Sequence, residues 1–158
     1  MSDFSTGSTQ APLDAPLREA SFGQAFVRFW KKYVVFHGRA SRSEFWWWFL
    51  ANFIISSVIS SLSWMIGSPV VFNESGTPVV VYSAAQLPSI LWGLATLIPW
   101  LALSWRRLHD TNRSGAWWFI FLIPFVGWII LLVFFALPPD PAGTRFDRGS
   151  VAAPEPTP

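Results

Sequence analysis

Apolar residues in this chain gather into three long runs separated by short polar or charged stretches. The first, FWWWFLANFIISSVISSLSWMI, covers residues 45–66. The second, LPSILWGLATLIPWLALSW, covers 87–105, and the third, AWWFIFLIPFVGWIILLVFFAL, covers 116–137. None contains an Asp, Glu, Lys or Arg. At about 1.5 Å per residue the first and third reach roughly 33 Å and the second roughly 28 Å, against roughly 30 Å of hydrocarbon in a bilayer. Backbone amides in lipid must bond within their own segment, so each run predicts a helix. The expected fold class is an all-α integral membrane protein with three transmembrane helices. Pro124 and Gly127 interrupt the third run near its middle. They predict either a kinked crossing or a re-entrant turn, and length favours the crossing, because each arm of a turn would have only about ten residues.

Ahead of the first run, residues 21–36 read SFGQAFVRFWKKYVVF. Phe22, Phe26, Phe29, Tyr33 and Phe36 recur in steps of four and three, with Gln24, Arg28, Lys31 and Lys32 between them. That periodicity predicts an amphipathic helix with a basic face, opened by a Ser21–Gln24 capping box. Such a helix suits a membrane surface, and its apolar face can equally pack on the protein's own spans. Residues 1–20 and 139–158 are rich in Ser, Thr, Ala and Pro and predict disordered tails flanking a membrane domain at 21–138. The first tail lacks the basic and apolar regions of a secretory signal. Between the first two runs, PVVFNESGTPVVVY (69–82) predicts a small β-hairpin around a turn at Asn73–Pro78. Its Asn73-Glu74-Ser75 matches a glycosylation acceptor only in form.

Basic residues orient the runs. Arg18, Arg28, Lys31, Lys32, Arg39 and Arg42 precede the first, and Arg106, Arg107 and Arg113 lie between the second and third; the 67–86 loop has none. The N-terminus and the 106–115 loop are expected in the cytoplasm and the 67–86 loop outside. Trp46, Trp47, Trp48, Trp105, Trp117 and Trp118 fall at the expected cytoplasmic ends, Trp64 and Trp92 near the other interface. Inside the runs, Ser56, Ser57, Ser60 and Ser61, and then Ser89 and Gly93, have small-xxx-small spacing. That permits either internal packing or a homodimer seam, and a homo-oligomer or a membrane-protein partner is open to the chain. Asn52 is expected to hydrogen-bond a neighbouring helix.

Composition narrows the chemistry. Apolar residues make up 52% of the 158 residues and charged residues 13%, with 15 Phe and 11 Trp. A soluble domain carries about 25% charged residues, so a soluble enzyme is excluded as the default. There is no cysteine, which removes disulfides, thiolate nucleophiles and Cys-ligated metals. Two histidines, His37 and His109, are too few for a His-rich metal site. A net charge of +2 is too mild to indicate nucleic acid. No cofactor is expected.

The chemistry-capable residues concentrate in HGRASRSEFWWW (37–48) and WRRLHDTNRSGAWW (105–118). Glu44 stands at the membrane boundary and is expected to pair with Arg106 or Arg107, whose planar fork matches a carboxylate. Asp110 is a candidate partner for Arg39, Arg42 or Arg113. His109 beside Asp110 suggests proton handling, although neighbours on a helix do not face each other. Three readings compete: a topological and structural cluster; recognition of anionic lipid headgroups or a protein partner by Arg39, Arg42, Arg106 and Arg107; and catalysis or transport through Glu44, His109 and Asp110. No nucleophile elbow, phosphate loop or metal-ligand spacing supports catalysis. A small oligomeric transporter or channel component using Glu44, Asn52 and His109 is the alternative.

These segments have a familiar arrangement. Phe36-His37-Gly38-Arg39-Ala40-Ser41-Arg42-Ser43-Glu44-Phe45-Trp46 resembles the F-x-G-R-x-x-R-x-E-[FY]-W signature of the domain-of-unknown-function 805 family of small bacterial inner-membrane proteins. Arg106-Arg107-Leu108-His109-Asp110, with Arg113-Ser114, resembles its R-R-L-H-D-x-x-[RK]-S segment, and Leu122-Ile123-Pro124-Phe125-Val126-Gly127 resembles a third hallmark. The resemblance covers about residues 22–148; the polar N-terminal tail and Pro-rich C-terminus depart from it. It implies a multi-pass protein of the bacterial cytoplasmic membrane and no enzyme activity. Gly38, Arg39, Arg42, Glu44, Arg106, Arg107, Leu108, His109 and Asp110 are its motif positions.

Overall fold

A computed structural model describes residues 15–67, 70–80 and 84–147. Two long apolar helices, α2 (Arg42–Ile66) and α3 (Leu87–Asp110), form an antiparallel pair. At roughly 37 Å and 36 Å each is long enough to cross a bilayer, and both are apolar enough. A short helix α1 (Phe22–Lys31) precedes them and packs on α2. At the far end the chain forms the expected hairpin, β1 (Val70–Phe72) and β2 (Pro78–Val80), with Val71 opposite Val79. The Asn73 side chain closes its turn by accepting from the amides of Ser75 and Thr77 at 3.1 and 2.9 Å. Residues 69, 81 and 82 of that expected hairpin lie outside the described residues.

The α1 capping box forms as its sequence predicts: the Ser21 amide donates to Gln24 Oε1 at 2.9 Å. The helix ends at Lys31, short of residue 36, and its apolar face packs inward. Phe29 stacks on Trp48 with ring centroids 3.3 Å apart, and Trp30 meets Trp48 and Trp92 edge-on. Arg28, expected on the helix's basic polar face, is turned inward and buried.

Pro99 lies inside α3, where it has no N–H for the carbonyl of Ala95. The Tyr33 hydroxyl supplies the missing donor, reaching Ala95 O at 2.7 Å. One helix turn earlier the expected bond of Asn52 is present: Trp92 Nε1 donates to Asn52 Oδ1 at 3.0 Å. Trp92 is thus a partner inside the helix pair. Ser56, Ser60, Ser89 and Gly93 line a polar cleft of about 190 Å³ beside this bond.

The third apolar run does not form one helix of crossing length. It divides into a 3₁₀ segment, Gly115–Leu122, and α4 (Val126–Ala136). Pro124 disfavours a helical conformation at the residue before it, and Ile123 is extended at φ −85°, ψ 109°. Phe125 then takes φ 62°, ψ −62°, and the Val126 amide bonds Pro124 O at 2.7 Å. Together these make a γ-turn of the strained kind. The two arms lie against each other, with Trp128 Nε1 donating to Phe121 O at 3.2 Å and Trp117 meeting Phe134 edge-on. A Cβ on Gly127 would stand 1.8 Å from Ile120 O, so only glycine permits that approach. Both ends of the hairpin return to the Asp110 end of α3, where Gly115 abuts Trp105 and Leu137 reaches Arg107. The C-terminal segment therefore shares an end of the molecule with the start of α2.

The predicted tails and loop also shrink. Residues 1–14 and 148–158 lie outside the described residues, but 15–20 and 139–147 hold defined contacts to the helices. The loop expected at 106–115 is helical as far as Asp110. There a Schellman cap ends α3. Asn112 takes φ 58°, its amide bonds His109 O at 3.0 Å, and the Arg113 amide bonds Leu108 O at 2.9 Å.

Candidate functional site

The two motif-bearing segments meet at one end of the helix pair. The Ala40 amide donates to Arg106 O at 3.1 Å, and Arg107 Nη1 reaches back to Ala40 O at 3.5 Å. Around this contact Arg28, Arg39, Arg106, Arg107, Glu44, His109 and Asp110 are all buried. Burial of so many ionisable groups is tolerable only if each charge is paired or hydrogen-bonded.

Glu44 begins this network through local chemistry. Ser41-Arg42-Ser43-Glu44 has the S-x-x-E form of a capping box, and the structure contains it: the Glu44 amide donates to Ser41 Oγ at 3.1 Å and the Ser41 amide to Glu44 Oε2 at 3.3 Å. The other carboxylate oxygen lies 2.6 Å from Arg28 Nε and accepts from the Leu17 amide at 3.2 Å. The expected pairing with Arg106 or Arg107 is corrected: Arg28, delivered by α1, is the direct partner. Arg28 also donates to Ala15 O at 2.5 Å, pinning the chain ahead of α1.

Arg107 is fully buried and has four acceptors. Besides Ala40 O it reaches Asp110 Oδ2 at 2.6 Å and Phe135 O at 3.0 Å, and it donates to Leu137 O. The last two are carbonyls at the C-terminal end of α4, where a helix leaves acceptors without partners and carries partial negative charge. Arg107 thus caps the hairpin's helix from another helix. Asp110 is shared: Arg107 holds one oxygen, and Arg39 Nη1 lies 3.8 Å from the other. Arg42 and Arg113, also considered for Asp110, make neither contact; Arg113 lies over the Phe134 ring at 4.2 Å.

Arg39 turns mainly to the C-terminal segment and grips Asp147 with two nitrogens, at 3.0 Å from Nε and 2.7 Å from Nη2. Gly38 takes φ 77°, a conformation open to glycine, and so serves two partners. Its amide donates to Phe146 O at 2.9 Å, and its carbonyl lies 3.0 Å from His109 Nδ1. The His109 ring stacks on Phe146 at 4.0 Å. His109 and Asp110 point apart, as their adjacency on a helix requires. Arg106 folds back along α3, donating from Nε to Ala102 O at 3.2 Å.

Of the four arginines expected to meet headgroups or a partner, Arg39, Arg106 and Arg107 are enclosed and Arg42 alone is exposed. Glu44, Asn52 and His109 occupy separate surroundings: Glu44 against Arg28, Asn52 against Trp92, His109 beneath Phe146. No three His, Asp or Glu side chains among the described residues converge as metal ligands would. Sequence reasoning missed Arg28, Ser41, Phe146 and Asp147. The capping-box spacing was a readable signal for Ser41, whereas nothing local points from Asp147 to Arg39.

The architecture defines a helical membrane protein with a buried ionic cluster at one end and an apolar hairpin returning to it. Residues 33–148 match the family model described as Protein of unknown function (DUF805), and the chain belongs to that family. It is similar to inner membrane protein YhaI of Escherichia coli (strain K12), 39% identical over 125 residues, covering 78% of this chain and 92% of the relative. Inner membrane protein YhaH of the same strain is 36% identical over 121 residues, covering 77% of this chain and 91% of the relative. No solved structure matches. The chain is a bacterial inner-membrane protein.

Proposed function

We propose that the chain crosses the inner membrane twice, through α2 and α3, while the Gly115–Ala136 hairpin enters and leaves from the cytoplasmic side. The N-terminus, the C-terminus and the ionic cluster then share the cytoplasmic face, and the β-hairpin faces outward. Lys and Arg placement supports this orientation, since the 67–86 loop carries none. In this reading the protein is not an enzyme. Its cluster locks α1, the helix pair, the hairpin and both flanking segments into one body, leaving Lys31 and Arg42 outward toward anionic headgroups.

The single observation carrying the proposal is the reach of Arg107 to Phe135 O and Leu137 O, which supports a C-terminus on the same side as the start of α2. Because the chain has no cysteine, single cysteines report topology without background. In intact spheroplasts, Ser75→Cys is expected to react with a membrane-impermeant maleimide. Ser114→Cys and Ala142→Cys are expected to react only after permeabilisation. Labelling of Ala142→Cys in intact spheroplasts, with Ser114→Cys protected, would restore a third crossing and overturn the proposal.

A further inference from the structure

We infer that the cleft between α2, α3 and the hairpin is a binding site for one anionic phospholipid, with its acyl chain in the cleft, an ester carbonyl on the Ser104 hydroxyl and its phosphate at Arg42. The inference rests on the membrane reading above and adds a ligand to it. The cleft encloses about 390 Å³, within the range of roughly 300–1,000 Å³ usual for small-molecule sites. Its walls are rings and aliphatic chains, among them Trp46, Trp100, Trp118 and Leu131.

Ser104 supplies the cleft's only hydroxyl. It is completely buried, and that hydroxyl has no hydrogen-bond partner among the described residues. A serine within a helix ordinarily bonds the carbonyl four residues back; this one makes no such bond and is closed to solvent in the unliganded cleft. Lipid esters carry an acceptor and no donor, so they suit it. Along α3 the lining runs from Leu97 to Ser104, a depth of about 10 Å.

Charge completes the amphiphile. Arg42 precedes Phe45, Trp46 and Phe49 by three, four and seven positions, so it shares the helix face that forms one wall. It is exposed and forms no ion pair among the described residues. The Ala40–Arg106 and Phe45–Trp100 contacts bracket Ser104 and Arg42 at one level of the helix pair. A carbonyl and a phosphate of the same lipid can therefore meet both.

The test uses the full chain in a mild detergent, with native mass spectrometry of added phosphatidylglycerol or phosphatidylcholine. Photolabelling follows with a phosphatidylglycerol bearing a diazirine in its acyl chain. One phosphatidylglycerol is expected to be retained about tenfold more strongly than phosphatidylcholine. Arg42→Gln is expected to reduce that preference about fivefold, and Ser104→Ala to weaken retention of both lipids, with thermal midpoints showing that each variant remains folded. Label on Trp100 and Leu131 is expected to saturate and to be competed by unlabelled phosphatidylglycerol. Equal retention of both lipids by all three chains would overturn the inference. So would non-saturable label spread over outward residues such as Phe53 and Leu91, or full competition by free fatty acid. None of these results depends on the orientation of the chain, so the topology experiment stands or falls separately.

Discussion

Arg107 on α3 donates to the carbonyl oxygen of Phe135 at 3.0 Å, so a cation on one helix caps the C-terminal end of another. The same guanidinium holds Asp110 at 2.6 Å. Removing it leaves a buried carboxylate and two helix-end carbonyls short of donors. Arg107→Gln is expected to destabilise the detergent-solubilised protein by about 3–5 kcal/mol. Arg107→Lys should recover only part of this, because an ammonium cannot reproduce the planar fork. Thermal unfolding with and without Asp110→Asn measures the pair. Effects that simply add would show that the two residues act independently.

Glu44 offers a test of partner choice. Arg28 is 2.6 Å from its carboxylate, whereas Arg106 shows no direct bond to it and sends its Nε to Ala102 O. Double-mutant cycles with Glu44→Gln are expected to give a larger coupling for Arg28→Gln than for Arg106→Gln, of about 1–3 kcal/mol. The reverse order would return Glu44 to α3.

The turn at Phe125 predicts opposite effects two residues apart. Phe125→Gly removes the side chain from a positive-φ γ-turn and is expected to stabilise by about 1 kcal/mol. Gly127→Ala places a methyl against Ile120 O and is expected to destabilise by at least about 2 kcal/mol. Thermal midpoints of the two single variants decide this. If Gly127→Ala is silent, the arms do not approach as described.

Tyr33 and Pro99 form a donor and a gap that fit each other. Tyr33→Phe leaves Ala95 O without its hydroxyl donor and is expected to destabilise by about 1–3 kcal/mol. In a Pro99→Ala background the alanine amide can bond that carbonyl, so the cost of Tyr33→Phe should fall. An equal cost in both backgrounds, from equilibrium unfolding, would break the link.

Much of the fold was legible because its causes are local. Charge-free runs predicted α2 and α3, Ser21 and Gln24 announced the start of α1, and turn chemistry at Asn73 announced the β-hairpin. The third run has the length of a crossing, yet it breaks into a 3₁₀ segment and a short helix. Pro124 and Gly127 were visible, but whether such a break kinks a helix or reverses it depends on what receives the returning arm. Here Arg107 receives it.

The candidate site divides in the same way. Its residue types, and their concentration around Gly38–Glu44 and Arg106–Asp110, are properties of the linear chain, as are membrane residence and family. Partner choice is not. Glu44 meets Arg28 because α1 folds onto α2, Arg39 meets Asp147 across 108 positions, and three arginines that composition would send to headgroups are enclosed. Helix formation and lipid partition are governed by residues within a few turns of one another. The pairing of buried charges is governed by which segments share a low-dielectric space, and that is settled only when the chain has closed around them.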